Sequence, residues 1–165
     1  LQAKIIAANA YKLSDDPTET AGMPTPLKPV PFFNLAPLEN AIARLKVSAK
    51  GYDTTLAAKG AALTPDVKAR LVALAGKTEQ AMTTEPGLPG GRGWYRNMIY
   101  APGRFTGYGA KTLPGVREAI EDERWEDADT YAGYTAKAIN AYADLLDQGV
   151  TLMGGPAAAT STGAR

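Results

Sequence analysis

The chain has 165 residues, 18 basic and 17 acidic for a formal net charge of +1, and contains neither cysteine nor histidine. Its length suits one domain with a real core, and the charge balance gives no case for nucleic acid, which calls for a clustered basic face. Without cysteine there is no disulfide or thiol chemistry, and without histidine there is no Ser-His or Cys-His nucleophile pair and little scope for a zinc-hydrolase site.

No apolar run approaches the roughly 18 residues of a membrane span. The chain opens at Leu1 inside a helical pattern and shows no signal-peptide pattern, which suggests a piece of something longer. Residues 1–13 read as a short amphipathic helix with Ile5, Ile6 and Leu13 inward. Prolines 17, 24, 26, 29 and 31 then deny the next stretch a helix and favour an extended crossover. Phe32 and Phe33 at its end call for burial and favour an ordered strap over a linker.

From Leu35 the pattern is regular. Leu35, Leu38, Ile42, Leu45, Ala49, Tyr52 and Leu56 follow alternating spacings of three and four, a heptad seam that serves as bundle core by default or as a dimer interface. Asn34 offers a cap, Pro37 suits the first turn and Gly60 a stop. Thr64, Pro65 and Asp66 open the next helix, whose face Val67, Leu71, Leu74, Thr78, Ala81 and Met82 continues to about Thr84. After a long glycine-rich loop, Pro114 starts a short helix to about Trp125. Its acids Glu118, Glu121, Asp122 and Glu123 read as a solvated face in preference to a metal site or a carboxylate-based active site. A last helix runs from about Glu126 to Gln148 with Ala128, Ala132, Thr135, Ile139, Tyr142 and Leu146 inward. Gly149 ends it, and a disordered tail closes the chain. Its small residues Ala128, Ala132, Ala138 and Ala141 allow close helix approach, within a bundle or across a dimer seam. The expected fold is all-α, an up-and-down four-helix-type bundle with a proline-rich crossover and a long glycine-rich loop.

That loop, 86–115, holds eight of the seventeen glycines together with Trp94, Tyr95, Tyr100, Phe105, Tyr108, Arg92, Arg96, Arg104 and Lys111. Bundle helices are usually joined by short connections, and flexible linkers are poor in aromatics, so an ordered, functional surface is expected here. Trp94 and Tyr95 are expected to hold the loop to the bundle, Tyr100 and Pro102 to be structural, and Arg96 to form a loop-to-helix salt bridge.

Three blocks carry a resemblance: APLENAIARLKVSAKGYDTTL at 36–56, EPGLPGGRGWYRNMIYAPGRFTGYGAKTLPGVREAI at 85–120 and DADTYAGYTAKAINAYADLL at 127–146. A GLP shortly before WYR, then IYAP, an aromatic-bearing glycine loop and a PG opening the next helix resemble the transferrin-receptor-like dimerisation domain. This is the C-terminal helical domain of glutamate carboxypeptidase II and its relatives. The resemblance covers 34–150. It implies that 1–33 are the end of a preceding peptidase-domain helix plus the crossover, and that 151–165 are a tail.

In that family the domain pairs two subunits, and its loop closes a substrate pocket whose zinc ligands lie in the upstream peptidase domain, outside this chain. The glutamate-specific members place a Lys-Tyr pair after IYAP on the substrate's carboxylate end, and the matching positions here are Gly107 and Tyr108. The tyrosine hydroxyl is kept, and the lysine's charge-assisted contact is lost, with Arg104 or Lys111 as substitutes. On its residues alone, Tyr108 packs on the bundle end with its hydroxyl in water; the resemblance makes it face substrate. The resemblance also suggests an extracytoplasmic setting. The reading is therefore a homodimerising domain, catalytically inert alone and with no cofactor of its own, whose 103–111 loop completes the pocket of a zinc-dependent carboxypeptidase-like parent. The alternative is a stand-alone helical module binding a small acidic ligand or peptide.

Overall fold

The computed structural model describes residues 2–8, 29–105 and 107–155. The chain divides into two compact units, Leu1–Phe32 and Phe33–Arg165. In the first, α1 spans Gln2–Ala7 with Ile5 and Ile6 half-buried. Its expected continuation to Leu13, most of the proline-rich crossover and the tail from residue 156 lie outside the described residues. Phe32 is 93% exposed, against the burial expected of it, while Phe33 beside it is half-buried.

The second unit is mostly helical. Helix α2 spans Ala36–Lys59, and the Asn34 carboxamide accepts a hydrogen bond from the Ala36 N–H at 3.1 Å. Helix α3 spans Pro65–Ala75, with the Thr64 hydroxyl accepting from Val67 N–H at 3.4 Å. Helix α4 is a single turn, Thr78–Ala81. Strands β1 (Tyr100–Pro102) and β2 (Ala110–Thr112) pair antiparallel, with Ala101 opposite Lys111. Helix α5 spans Pro114–Glu121 and α6 spans Trp125–Leu152.

The expected single helix over 64–84 is broken at Gly76 and Lys77, where the Gly76 N–H already reaches back to the end of α3. The stripe survives the break: Val67, Leu71, Leu74, Thr78, Ala81 and Met82 are all half-buried. Helix α6 does not stop at Gly149. That residue is buried, and a Cβ there would lie 2.5 Å from the Tyr52 ring. The glycine is thus a point of close approach inside a helix, a use that sequence cannot distinguish from a stop.

The two long helices form the spine, and they run in the same direction. Leu38 and Ala41 pack with Ala136 and Ile139. Farther along, Arg44 bonds Asn140, Asp144 and Asp147. Tyr52 then meets Gly149, and Lys59 reaches the Gly154 carbonyl. The up-and-down four-helix arrangement expected from the helical periods is not the one these contacts describe. Everything from α3 to α5 carries the chain back, so that the start of α2 lies beside the middle of α6, and such parallel neighbours require a long crossover.

The core lies along α6, where buried Ala128, Ala132, Ala136, Ala138 and Ala143 let other elements approach closely, inside the domain. One cluster joins Leu38, Ala41, Ala136 and Ile139; the other joins Leu88, Met98, Ala101, Val116, Tyr131, Ala132 and Ala138, with Phe33 and Tyr95 half-buried on it. Leu88, Met98 and Ala101 come from the glycine-rich loop, so that loop is a layer of the core. On α2 the buried residues are Leu38, Ala41, Ser48 and Thr55. The seam expected over 35–56 is only partly inward: Leu35, Ile42 and Leu56 are 37% to 40% exposed. No helix among the described residues is long and apolar enough to cross a membrane.

Candidate functional site

The glycine-rich segment is held by backbone pairing and by a few side chains that sequence reading did not single out. Thr84 N–H donates to the Arg96 carbonyl at 2.9 Å, Met98 N–H to Met82 at 2.9 Å and Leu88 N–H to Tyr95 at 2.8 Å. The Tyr131 hydroxyl donates to the Gly87 carbonyl at 2.9 Å, tying the loop to α6. Gly87 has φ +62° and a Cβ there would meet the Gly93 carbonyl oxygen at 2.0 Å, so both the turn and the close approach require glycine. Asn97 folds the chain into β1, its Oδ1 accepting from the N–H groups of Ile99 (2.8 Å) and Tyr100 (3.1 Å). The Tyr100 hydroxyl donates to Glu79 at 2.7 Å, and this bond to the carboxylate, more than the charge itself, raises the phenol above its ordinary value.

Beyond β1 the chain makes the loop 103–109 and returns as β2. Tyr108 and Gly107 stand at its tip, both exposed, and the Tyr108 hydroxyl meets no partner among the described residues. Tyr108 is therefore not packed on the bundle end. A Cβ on Gly107 would meet nothing within 4 Å. Arg104 lies over the Phe105 ring, 5.2 Å from its centroid, and pairs with Asp122 at 3.2 Å. Lys111 pairs with Glu121 at 2.5 Å. Both cations are thus engaged with carboxylates of the α5 end, and Arg104, Gly107 and Tyr108 share one small loop.

The acidic run at α5 is a solvated face at Glu121 and Asp122, which are exposed, but not at Glu118. Glu118 is 3% exposed, and its two carboxylate oxygens bind Arg92 and the Arg104 N–H (2.8 Å), while Glu121 and Asp122 take Lys111 and Arg104. Three acids of the run thus meet bases of the loop. Among the described residues no group of three or more His, Cys, Asp or Glu is placed to hold a metal.

Other expectations need adjusting. Tyr95 is half-buried on the core as expected, but Trp94 is 72% exposed, its ring 5.8 Å from that of Tyr95. Arg96 pairs with Glu85 at 3.2 Å, just before the loop, in place of reaching a helix. Trp94, Tyr95, Arg96, Tyr100 and Glu79 line a shallow groove of about 310 Å³.

Residues 33–147 match the model of the transferrin receptor-like dimerisation domain. The chain belongs to that family. It is 32% identical over 100 residues to the "Probable glutamate carboxypeptidase LAMP1" of Arabidopsis thaliana, covering 56% of this chain and 14% of that protein. It is 37% identical over 67 residues to a "Probable glutamate carboxypeptidase" of Arthroderma benhamiae, covering 41% of this chain and 9% of that protein. The dimerisation domain therefore spans a small part of the relatives it matches.

Proposed function

We propose that this dimerisation domain pairs two copies of a longer, zinc-dependent carboxypeptidase-like protein, and that its 103–111 loop helps to close that protein's substrate pocket. Residues 34–150 make up the dimerising domain, and 1–33 are the end of a preceding peptidase-domain helix with its crossover. The zinc and its ligands belong to the peptidase domain, where the metal would activate water and polarise the scissile carbonyl. This chain contributes subunit pairing and a tip residue, Tyr108, whose hydroxyl can donate to the substrate's terminal carboxylate. Gly107 beside it leaves room for that carboxylate, and Arg104 adds positive charge at the loop's neck.

The observation that carries the pairing role is the half-used stripe of α2. Helix α6 takes the face of Leu38, Ala41, Ser48 and Thr55, leaving Leu35, Ile42 and Leu56 in a heptad-spaced row toward solvent. A row of three is too small for a stable interface by itself, since about 1,000 Å² in total is needed, so it forms the centre of a wider contact. Light scattering of the 165-residue chain across a concentration series tests this. A dimer that persists on dilution is expected, and a monomer at every concentration would remove the pairing role from these helices.

The alternative, a stand-alone module for a small acidic ligand, draws on the groove beside Trp94. The groove's cation, Arg96, is already paired with Glu85, and Glu79 in the same lining repels an acidic guest. Titration with acidic dipeptides is expected to show no saturable binding to the isolated chain.

A further inference from the structure

The loop that carries Tyr108 is gripped at its neck by two buried, oppositely charged side chains from different parts of the sequence. Arg92, in the glycine-rich segment, donates to the Pro102 carbonyl at 3.0 Å and to Glu118. Glu118, on α5, accepts in addition from the Arg104 N–H at 2.8 Å. The two bonds to backbone fall on residues 102 and 104, on either side of Gly103, where β1 ends and the loop begins. Both side chains are nearly out of water, Arg92 at 11% and Glu118 at 4% exposure, and the Arg92 Nε has no partner among the described residues. A buried pair of this kind is weak evidence for stability, because removing two charges from water costs about as much as their attraction returns. It is stronger evidence for geometry: a carboxylate with one oxygen on a guanidinium and the other on a backbone N–H admits only one arrangement of its partners.

We propose that Glu118, oriented by Arg92, is the positioning residue that fixes the 103–109 loop at its neck and so sets where Tyr108 meets the terminal carboxylate of a peptide substrate. The inference rests on the pocket-closing reading of the loop. Glu118 touches no substrate; it acts through the backbone of Arg104. The outer contacts, Arg104 with Asp122 and Lys111 with Glu121, lie nearer solvent and are screened, so they steady the loop without fixing it.

Glu118→Gln probes this with almost no change of shape. One oxygen becomes an NH2 group that must face either the Arg92 guanidinium or the Arg104 N–H, donor against donor. In the 165-residue chain, amide exchange at Arg104 should accelerate about tenfold or more, as expected for loss of a hydrogen bond to a charged group, with the α6 amides Ala132 and Ile139 unchanged. Unchanged exchange at Arg104 overturns the proposal. So does equal acceleration throughout α6, which would make the pair a support of the whole fold. Should Glu118→Gln fail to fold, Arg92→Lys serves, since a single ammonium cannot hold both Glu118 and the Pro102 carbonyl; faster exchange confined to Gly103 and Arg104 is then expected.

In the full-length protein, Glu118→Gln and Tyr108→Phe are compared with an acidic dipeptide as substrate. Both should raise KM about tenfold and leave kcat within about twofold, the pattern of lost substrate binding. If Tyr108→Phe raises KM and Glu118→Gln does not, the positioning role is overturned while the pocket-closing loop stands. If neither changes KM, the loop reading falls and the proposal with it.

Discussion

At the level of single residues, Gly107 and Gly149 illustrate opposite uses of glycine. Nothing lies within 4 Å of a Cβ at Gly107, so Gly107→Lys should change stability by no more than about 0.5 kcal/mol in thermal unfolding. In the full-length protein it should lower KM for a peptide ending in glutamate about tenfold, by adding a charge-assisted hydrogen bond beside Tyr108; an unchanged KM would argue against a substrate carboxylate at the tip. Gly149→Ala should destabilise. Replacing a mid-helix glycine gains up to about 1 kcal/mol, but overpacking against a ring at 2.5 Å costs about 1–3 kcal/mol. A lowered urea midpoint, restored in part by Tyr52→Leu, is the expected outcome. Tyr100 and Tyr131 report on pH. Hydrogen bonding to Glu79 raises the first hydroxyl, and burial, followed by the nearby Asp127 charge, raises the second. Each therefore holds its proton more tightly folded than unfolded. Their stabilisation is complete below the ordinary tyrosine value of about 10 and is lost as pH climbs through the raised values. Alkaline unfolding should begin above that pH, and Tyr131→Phe should weaken the dependence.

At the level of elements, the helical periods of the sequence were a good guide to the inward face from α3 to α4 and on α6, a poorer one on α2, and a poor one to how far each helix runs. The stripe from Val67 to Met82 is half-buried throughout even though Gly76 breaks the helix beneath it. The α6 face Ala128, Ala132, Thr135 and Ile139 is buried as read. The fate of Glu118 was less legible: a carboxylate among carboxylates reads as solvated unless the basic partners, here far apart in sequence, are known to fold over it. Trp94 shows the converse, a large aromatic that sequence assigns to anchoring and the fold leaves outside. On α2 the apolar stripe and the buried face are offset, because a helix packing on small alanines can bury Ser48 and Thr55 and leave Leu35, Ile42 and Leu56 beside the contact. Ile42→Asp tests what that row is for. A charge there should leave the helix content unchanged and weaken self-association by about tenfold or more, read by light scattering on dilution.

At the level of the whole domain, the family and the helical character were legible from three motif blocks, while the direction of the spine was not. Helical period is blind to whether a neighbour runs up or down, and only the contacts from Leu38 with Ala136 to Lys59 with Gly154 decide it. The same-direction spine has a mechanical consequence. The first turn of α2 and the last turn of α6 lie at opposite ends of one seam. A pull applied through those two points would load the seam along its length, so that the Arg44 cluster, the Tyr52 ring and the alanine contacts bear the force together. An antiparallel pair with the same contacts, held at adjacent ends, would give way one contact at a time like a peeled strip. Resistance to such a pull is set by the barrier to unfolding and not by equilibrium stability. A spine built this way should therefore rupture in a single event at high force.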